Sequence, residues 1–281
     1  MTSRLLVATL ALLAAATAAE AQTLERIAGD GVLRIGHRDT AIPFSYLDAT
    51  TGAPTGYSVA LCEALAPDIA AAAGIDGLDI AHVEVTAADR FDAVADGRVD
   101  LLCGAATRTL SRRARVDFSI PTFVDGAGIA LPRGGAGSMA ELAGETIAVT
   151  GGTTTEEALA NMLADTGMAA EVLTVTDHDE GLAAVSEGRA AAYFADRAIL
   201  HFLVAERGLD EVVVADDQFT LETHALALAR GDADFRLAVD TGLSRLYLTG
   251  EVDALFARAF GADAAMTDLL RALYRVSALP R

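Results

Sequence analysis

The residues that could do chemistry are arginines set where the apolar pattern breaks. In "RIGHRDTAIPFSY" (residues 34–46), Arg38 follows a strand-like apolar run, although the chain as a whole repels anions. An arginine at a strand end suits a small basic pocket that captures an anionic ligand. "VTGGTTTEE" (149–157) follows another such run and opens a helical pattern. Its glycines free backbone N–H groups, and a helix N-terminus favours an anion. Simple N-capping, with Thr154 and Glu157 as a capping box, accounts for the same letters. Taken alone, Arg112, Arg113 and Arg115 read as a solvated helix face, and His178 in "TDHDE" reads as a surface histidine between acids. Asp196, after "AAAYFA", can N-cap the next helix. There is no G-x-S-x-G elbow and no phosphate-binding loop, and the His and Cys spacings match no zinc site.

These groups need a scaffold, and the whole chain limits what it is. Its 281 residues hold one large domain or two modest ones, and 52% apolar residues argue against disorder. The net charge is −19 and all 21 basic residues are arginine, which excludes a nucleic-acid-binding face. Residues 1–21 read as a secretory signal: Arg4 gives a positive start, "LLVATLALLAAATA" is short for a membrane span, and "AEA" supplies a cleavage point. The mature chain is expected to begin near Gln22; an uncleaved anchor is the alternative. No other window is long and apolar enough to span a bilayer, so an exported, soluble protein is expected. In an oxidising compartment Cys62 and Cys103 are expected to form a disulfide, stabilising by roughly 3–4 kcal/mol, with two buried thiols as the alternative.

Strand-like runs alternate with helical patterns. "VLRIGH" precedes a helix over 57–73; "LDIAHVEV", a helix near 88–96 and "VDLLCG" follow. The alternation resumes with "ETIAVT", a helix from 155, "EVLTVT", a helix from 179, "AAAYFA" and a helix from 196. This predicts an α/β fold of parallel-dominated sheets flanked by helices. "FDAVADGRVDLLCG" and "LAAVSEGRAAAYFA" echo each other, with Gly97 and Gly188 at helix C-caps, and two similar lobes are the bolder reading. "RGGAGS" (133–138) reads as a flexible break between the halves. From 232 to 277 the pattern is nearly all helical, with arginines on solvated faces.

Taken together, "GHRDTAIPFSY", "TGYSVALCEAL", "CGAATRTLSRRARVDFS", "VTGGTTTEE" and "VTDHDEGLAAVSEGR" resemble the periplasmic solute-binding proteins of polar amino-acid ABC transporters (family 3), most of all the glutamate/aspartate-binding subgroup. The resemblance implies a two-lobed periplasmic-binding-protein fold with two hinge crossings, near 124–131 and 217–227. Lobe I would comprise 22–125 with 226–281, and lobe II 132–216. It implies capture of an acidic amino acid by lobe closure, delivery to an inner-membrane ABC permease, no cofactor or metal, and action as a monomer.

Residue by residue, the resemblance implies that Arg112 forks onto the ligand α-carboxylate with Thr107 beside it, while Thr153 and Thr154 complete that site from lobe II. Asp196 would pair with the α-ammonium. Arg38, Arg90 and His178 would surround the side-chain carboxylate, with His178 protonated and Asp177, Asp179 and Glu180 favouring that charge. Ala87 and Ala105 depart from the subgroup by standing where hydroxyl residues are usual, and Arg108 is an additional cation expected near the cleft. The rival on the same fold is a prephenate or arogenate dehydratase-like enzyme, with Glu156 and Glu180 as possible acids. A sensory ligand-binding module is a third class, disfavoured by the lack of a second membrane segment.

Overall fold

A computed structural model describes residues 23–280 of the chain; the expected signal segment, 1–21, lies outside them. Two five-stranded sheets share one order. In the first, Val32–His37 lies between Asp79–Glu84 and Leu101–Leu102, all three parallel. Ala227–Ala229 then pairs antiparallel, with Val116–Phe118 at the edge. In the second, Thr146–Thr150 lies between parallel strands Glu171–Val175 and Ala192–Asp196. Ala127–Pro132 then pairs antiparallel, with Val212–Val214 at the edge.

The internal echo is therefore structural. The helix Arg90–Ala95 leads into Leu101–Leu102, and the helix His178–Ser186 into Ala192–Asp196. Gly97 and Gly188 turn the chain with φ of 69° and 71°, a region open to glycine at little steric cost. The chain passes between the sheets twice. Each passage contributes one strand of an antiparallel ribbon, Phe123–Asp125 against Glu222–His224. The result is a two-lobed α/β fold. "RGGAGS" does not separate the lobes: it follows Ala127–Pro132, already a strand of the second sheet.

The helix expected over 57–73 is two helices, Tyr57–Ala64 and Ala66–Ala73, meeting at Leu65. Pro67 has no N–H to give Glu63 and its ring crowds the preceding turn, so it sits at the start of a new helix. Both cysteines are buried and joined as Cys62–Cys103, with Cα atoms 6.2 Å apart, tying the first of these helices to the end of Leu101–Leu102. The C-terminal region is helical as expected: Ala233–Thr249, Glu251–Phe260 and Asp268–Ser277 pack on the first lobe. Arg245 there is not merely solvated. It binds Asp68 at 2.9 Å and Glu251 at 2.8 Å, fastening the long helix to Ala66–Ala73. Among the described residues no helix is long and apolar enough to cross a membrane.

Candidate functional site

In open α/β sheets, crevices form beyond the carboxyl ends of parallel strands. Both sheets turn those ends toward one shared cavity. Arg38 follows Val32–His37, Thr107 follows Leu101–Leu102, and Arg90 opens the helix after Asp79–Glu84. From the second lobe, Thr153 and Thr154 follow Thr146–Thr150, His178 follows Glu171–Val175, and Asp196 ends Ala192–Asp196. Arg112 rides on the short helix Leu110–Arg113, where Thr109 Oγ1 accepts the Arg112 N–H at 3.1 Å. All eight residues line the cavity, with Ala41, Leu102, Gly104, Ala105, Ala106, Thr155 and Ile199. Burial alone does not choose them; position at strand ends does.

Three guanidinium groups meet there without counter-charges. Arg38 and Arg90 are 7% and 4% exposed, and among the described residues neither they nor Arg112 forms a salt bridge. Ser45 Oγ accepts the Arg38 backbone N–H at 2.8 Å, fixing where the side chain starts. Arg90 donates to the Ala87 carbonyl and to the Gly152 carbonyl at 3.0 Å, while its Nε is buried without a partner. Arg112 donates to the Thr107 carbonyl at 2.9 Å. Burial first, then the charges of Arg112 and Arg38, drives the Arg90 guanidinium well below its usual pKa. Burial also lowers the pKa of Arg38 and Arg112. An anion entering the cavity would relieve all three.

The same cavity holds a lone carboxyl group. Asp196 is buried, its Oδ1 has no partner, and its Oδ2 is 3.8 Å from His224 Nε2. It stands at the N-cap position of Arg197–Arg207 but makes no capping bond. Asp125, on the passing strand, does that work: its Oδ2 accepts the Ala198 N–H at 3.2 Å. Asp196 is thereby left free. Burial first, then Asp125 and Glu222, raises its pKa well above the usual carboxylate range, with Arg112 and Arg90 opposing. A bound cation would restore the carboxylate.

The two threonines divide their tasks. Thr153 is the N-cap: its Oγ1 accepts the Glu156 N–H at 3.1 Å, and Glu156 accepts the Gly152 N–H at 2.8 Å. The cap therefore falls one residue earlier than the expected Thr154/Glu157 pairing. Thr154, freed from capping, donates to Thr107 Oγ1 at 3.2 Å.

His178 differs from expectation. Its imidazole is 6% exposed and its pKa is driven down to about 3 by burial first, then by Arg38 and Arg90. It is neutral at ordinary pH. The neighbouring acids are engaged elsewhere: Asp177 caps its helix through the Glu180 N–H, Asp179 pairs with Arg207 at 2.9 Å, and Glu180 accepts from Thr176. Tyr193, 2.6 Å from His178 Nδ1 and 2.8 Å from Thr150 Oγ1, orients the ring. When Nδ1 accepts the Tyr193 O–H hydrogen bond, the neutral ring carries its proton on Nε2 and can donate it.

Two further expectations are corrected. Arg108 does not join the basic cluster; it is exposed and lines surface grooves with Arg113, Arg236 and Asp240 on one side and Leu221 and Val276 on the other. Glu156 and Glu180 lie outside the cavity, both tied to backbone N–H groups. Sequence reading missed Tyr193, Asp125, His224 and Phe91. The last carries a signal only in hindsight: it is an aromatic residue directly after Arg90, and the Arg90 and Arg112 Cζ atoms lie 4.7 and 4.8 Å from its ring centroid.

Two sheets of the same order closing over a charged crevice define a two-lobed ligand-binding protein. Residues 33–262 match the model of the bacterial extracellular solute-binding proteins, family 3, and the chain belongs to that family. It is 32% identical to an L-glutamate/L-aspartate-binding protein of Pseudomonas aeruginosa, over 85% of this chain and 80% of that one. It is 28% identical to a glutamate/aspartate import solute-binding protein of Salmonella typhimurium, over 86% and 80%. Among solved structures, it superposes with a TM-score of 0.74 and 29% identity on an ancestral amino acid-binding protein, AncCDT-1, a precursor of cyclohexadienyl dehydratase, covering 85% of this chain and 99% of that one. By name both relatives are binding proteins, the second an import solute-binding protein.

Proposed function

We propose that this chain is the periplasmic receptor of an amino-acid ABC importer and that its ligand is a dicarboxylic amino acid, glutamate or aspartate. The observation that carries this reading is the convergence of Arg38, Arg90 and Arg112, without salt bridges among the described residues, on a cavity that also holds Asp196, whose Oδ1 has no partner. A zwitterion with a second carboxylate supplies the missing charges in that arrangement. Arg112, Thr107, Thr153 and Thr154 take the α-carboxylate, and Asp196 the α-ammonium. Arg38, Arg90 and the neutral Nε2–H of His178 take the side-chain carboxylate. Each charge-assisted contact contributes roughly 1.5–3 kcal/mol net, and about 8 kcal/mol suffices for micromolar binding. The glutamate/aspartate binding of the named relatives supports the same ligand class.

The proposed division is lobe I at 22–125 with 226–281, lobe II at 132–216, and hinges near 124–131 and 217–227. The chain would act as a monomer after removal of residues 1–21, and its closed form would be what the permease recognises. Glu156 and Glu180, the acids considered for a dehydratase, lie outside the cavity and lend that reading no support.

The test is a thermal-shift screen of the amino acids on protein unfolded and refolded to strip carried-over ligand, followed by calorimetry. Glutamate or aspartate should raise the melting temperature far more than glutamine. A larger effect from a neutral or basic amino acid would overturn the ligand assignment.

A further inference from the structure

The ring of Phe91 lies where two like charges meet. Arg90 and Arg112 both bring their Cζ atoms within 5 Å of its centroid, at 4.7 and 4.8 Å. Phe91 does not line the cavity. It is the second residue of Arg90–Ala95, and its ring meets Phe118 edge-on at 6.3 Å, anchored in first-lobe packing. Two neighbouring guanidinium groups repel, and in a buried setting that repulsion is poorly screened. Backbone carbonyls anchor each group separately, Ala87 and Gly152 for Arg90 and Thr107 for Arg112, but none spans the pair to offset that repulsion. No carboxylate does so either, since neither arginine forms a salt bridge among the described residues. The face of an aromatic ring attracts cations, more strongly where water is excluded.

We propose that Phe91 is a positioning residue for anion capture: its ring holds the guanidinium groups of Arg90 and Arg112 together in the empty cleft, so that both are aimed before ligand arrives. The inference deepens the acidic-ligand reading and rests on it for what is bound, but the holding is a property of the empty protein. Leucine would occupy much of the same space beside Phe118 without a ring face, so electrostatics and shape can be separated.

Phe91→Tyr and Phe91→Leu are compared with the unchanged protein, each refolded free of ligand. NMR of the arginine Nε–Hε groups reads the order of Arg90 and Arg112, and calorimetry reads glutamate affinity. Tyr should keep both groups ordered and glutamate binding within about 2-fold, whereas Leu should mobilise both groups and weaken glutamate by about 10-fold. Leu matching the unchanged protein, or Tyr failing as Leu does, would overturn the role. If Leu does not fold, fluorinated phenylalanines at 91 weaken the ring face at nearly constant shape. Affinity and order falling with fluorination support the proposal, and a flat series overturns it. Ordered guanidinium groups in the unchanged protein, lost in Phe91→Leu, with no binding of glutamate or aspartate, would support the positioning role while overturning the ligand assignment.

Discussion

Thr154 of the second lobe donates its hydroxyl to Thr107 of the first, 3.2 Å away, and Arg90 reaches the Gly152 carbonyl across the same gap at 3.0 Å. The lobes thus touch through the residues proposed to hold ligand. Thr154→Val keeps the shape and removes the donor. A neutral hydrogen bond contributes about 1 kcal/mol net, so glutamate affinity should fall about 5-fold with little change in the empty protein's melting temperature. Calorimetry and thermal shift on the variant check this.

The arginines should separate by role. Arg112→Ala should abolish binding of every amino acid, because it removes the carboxylate anchor common to all. Arg38→Ala and Arg90→Ala should mainly erase the preference for glutamate over glutamine. Either loss is expected at 2 kcal/mol or more, roughly 30-fold, since each removes a charge-assisted contact. Unchanged glutamate affinity in Arg112→Ala would refute its role.

The buried imidazole of His178 links stability to pH. Its unfolded pKa is near 6.5 and its folded pKa about 3, so between those values the unfolded chain binds the extra proton. Stability should therefore fall as pH drops from about 6.5 toward 3, by about 1.4 kcal/mol per pH unit from this group. His224, also pushed to about 3 by burial and Arg112, acts in the same direction. Asp125, raised to about 7 chiefly by burial, acts oppositely: its contribution shrinks as pH rises from about 4 to 7. Denaturant titrations across pH on His178→Gln and Asp125→Asn should each flatten the corresponding limb.

Cys62 and Cys103 enclose a loop with sequence separation 41, for which the chain-entropy view gives about 4 kcal/mol. The Cys62→Ala/Cys103→Ala protein should lose close to that amount in denaturant unfolding. The unreduced, denatured parent should show no titratable thiol.

Much of this was legible in the sequence because most of the proposed binding residues follow strands. The resemblance carried by the quoted motifs named eight side chains that come together in one cavity, whereas the residues alone left Arg112, His178 and Asp196 with structural readings. What was not legible depends on distance or degeneracy. The charge of His178 is set by Arg38 and Arg90, which reach it from far along the chain. "TTTEE" offers two overlapping capping frames, and only backbone geometry selects Thr153 with Glu156. Asp125 caps a helix 73 positions later, a partnership no local pattern announces. Arg108 follows the strand-end motif as closely as Arg112 does, yet it leaves the cleft, because successive residues there turn to different sides.

The uncompensated arginines have a consequence for how such a protein is handled and for the fluid around it. A cluster of buried arginines of this kind is a counter-ion site that any small anion can compete for. Sulfate or phosphate in a buffer becomes a competitor, and an apparent dissociation constant becomes partly a property of the salt. In its own setting the receptor must discriminate against dissolved inorganic ions as well as neutral amino acids. Asp196, whose pKa burial raises well above the usual carboxylate range, offers a simple anion little and becomes a paired carboxylate only for the ammonium of a zwitterion, which supplies that second test.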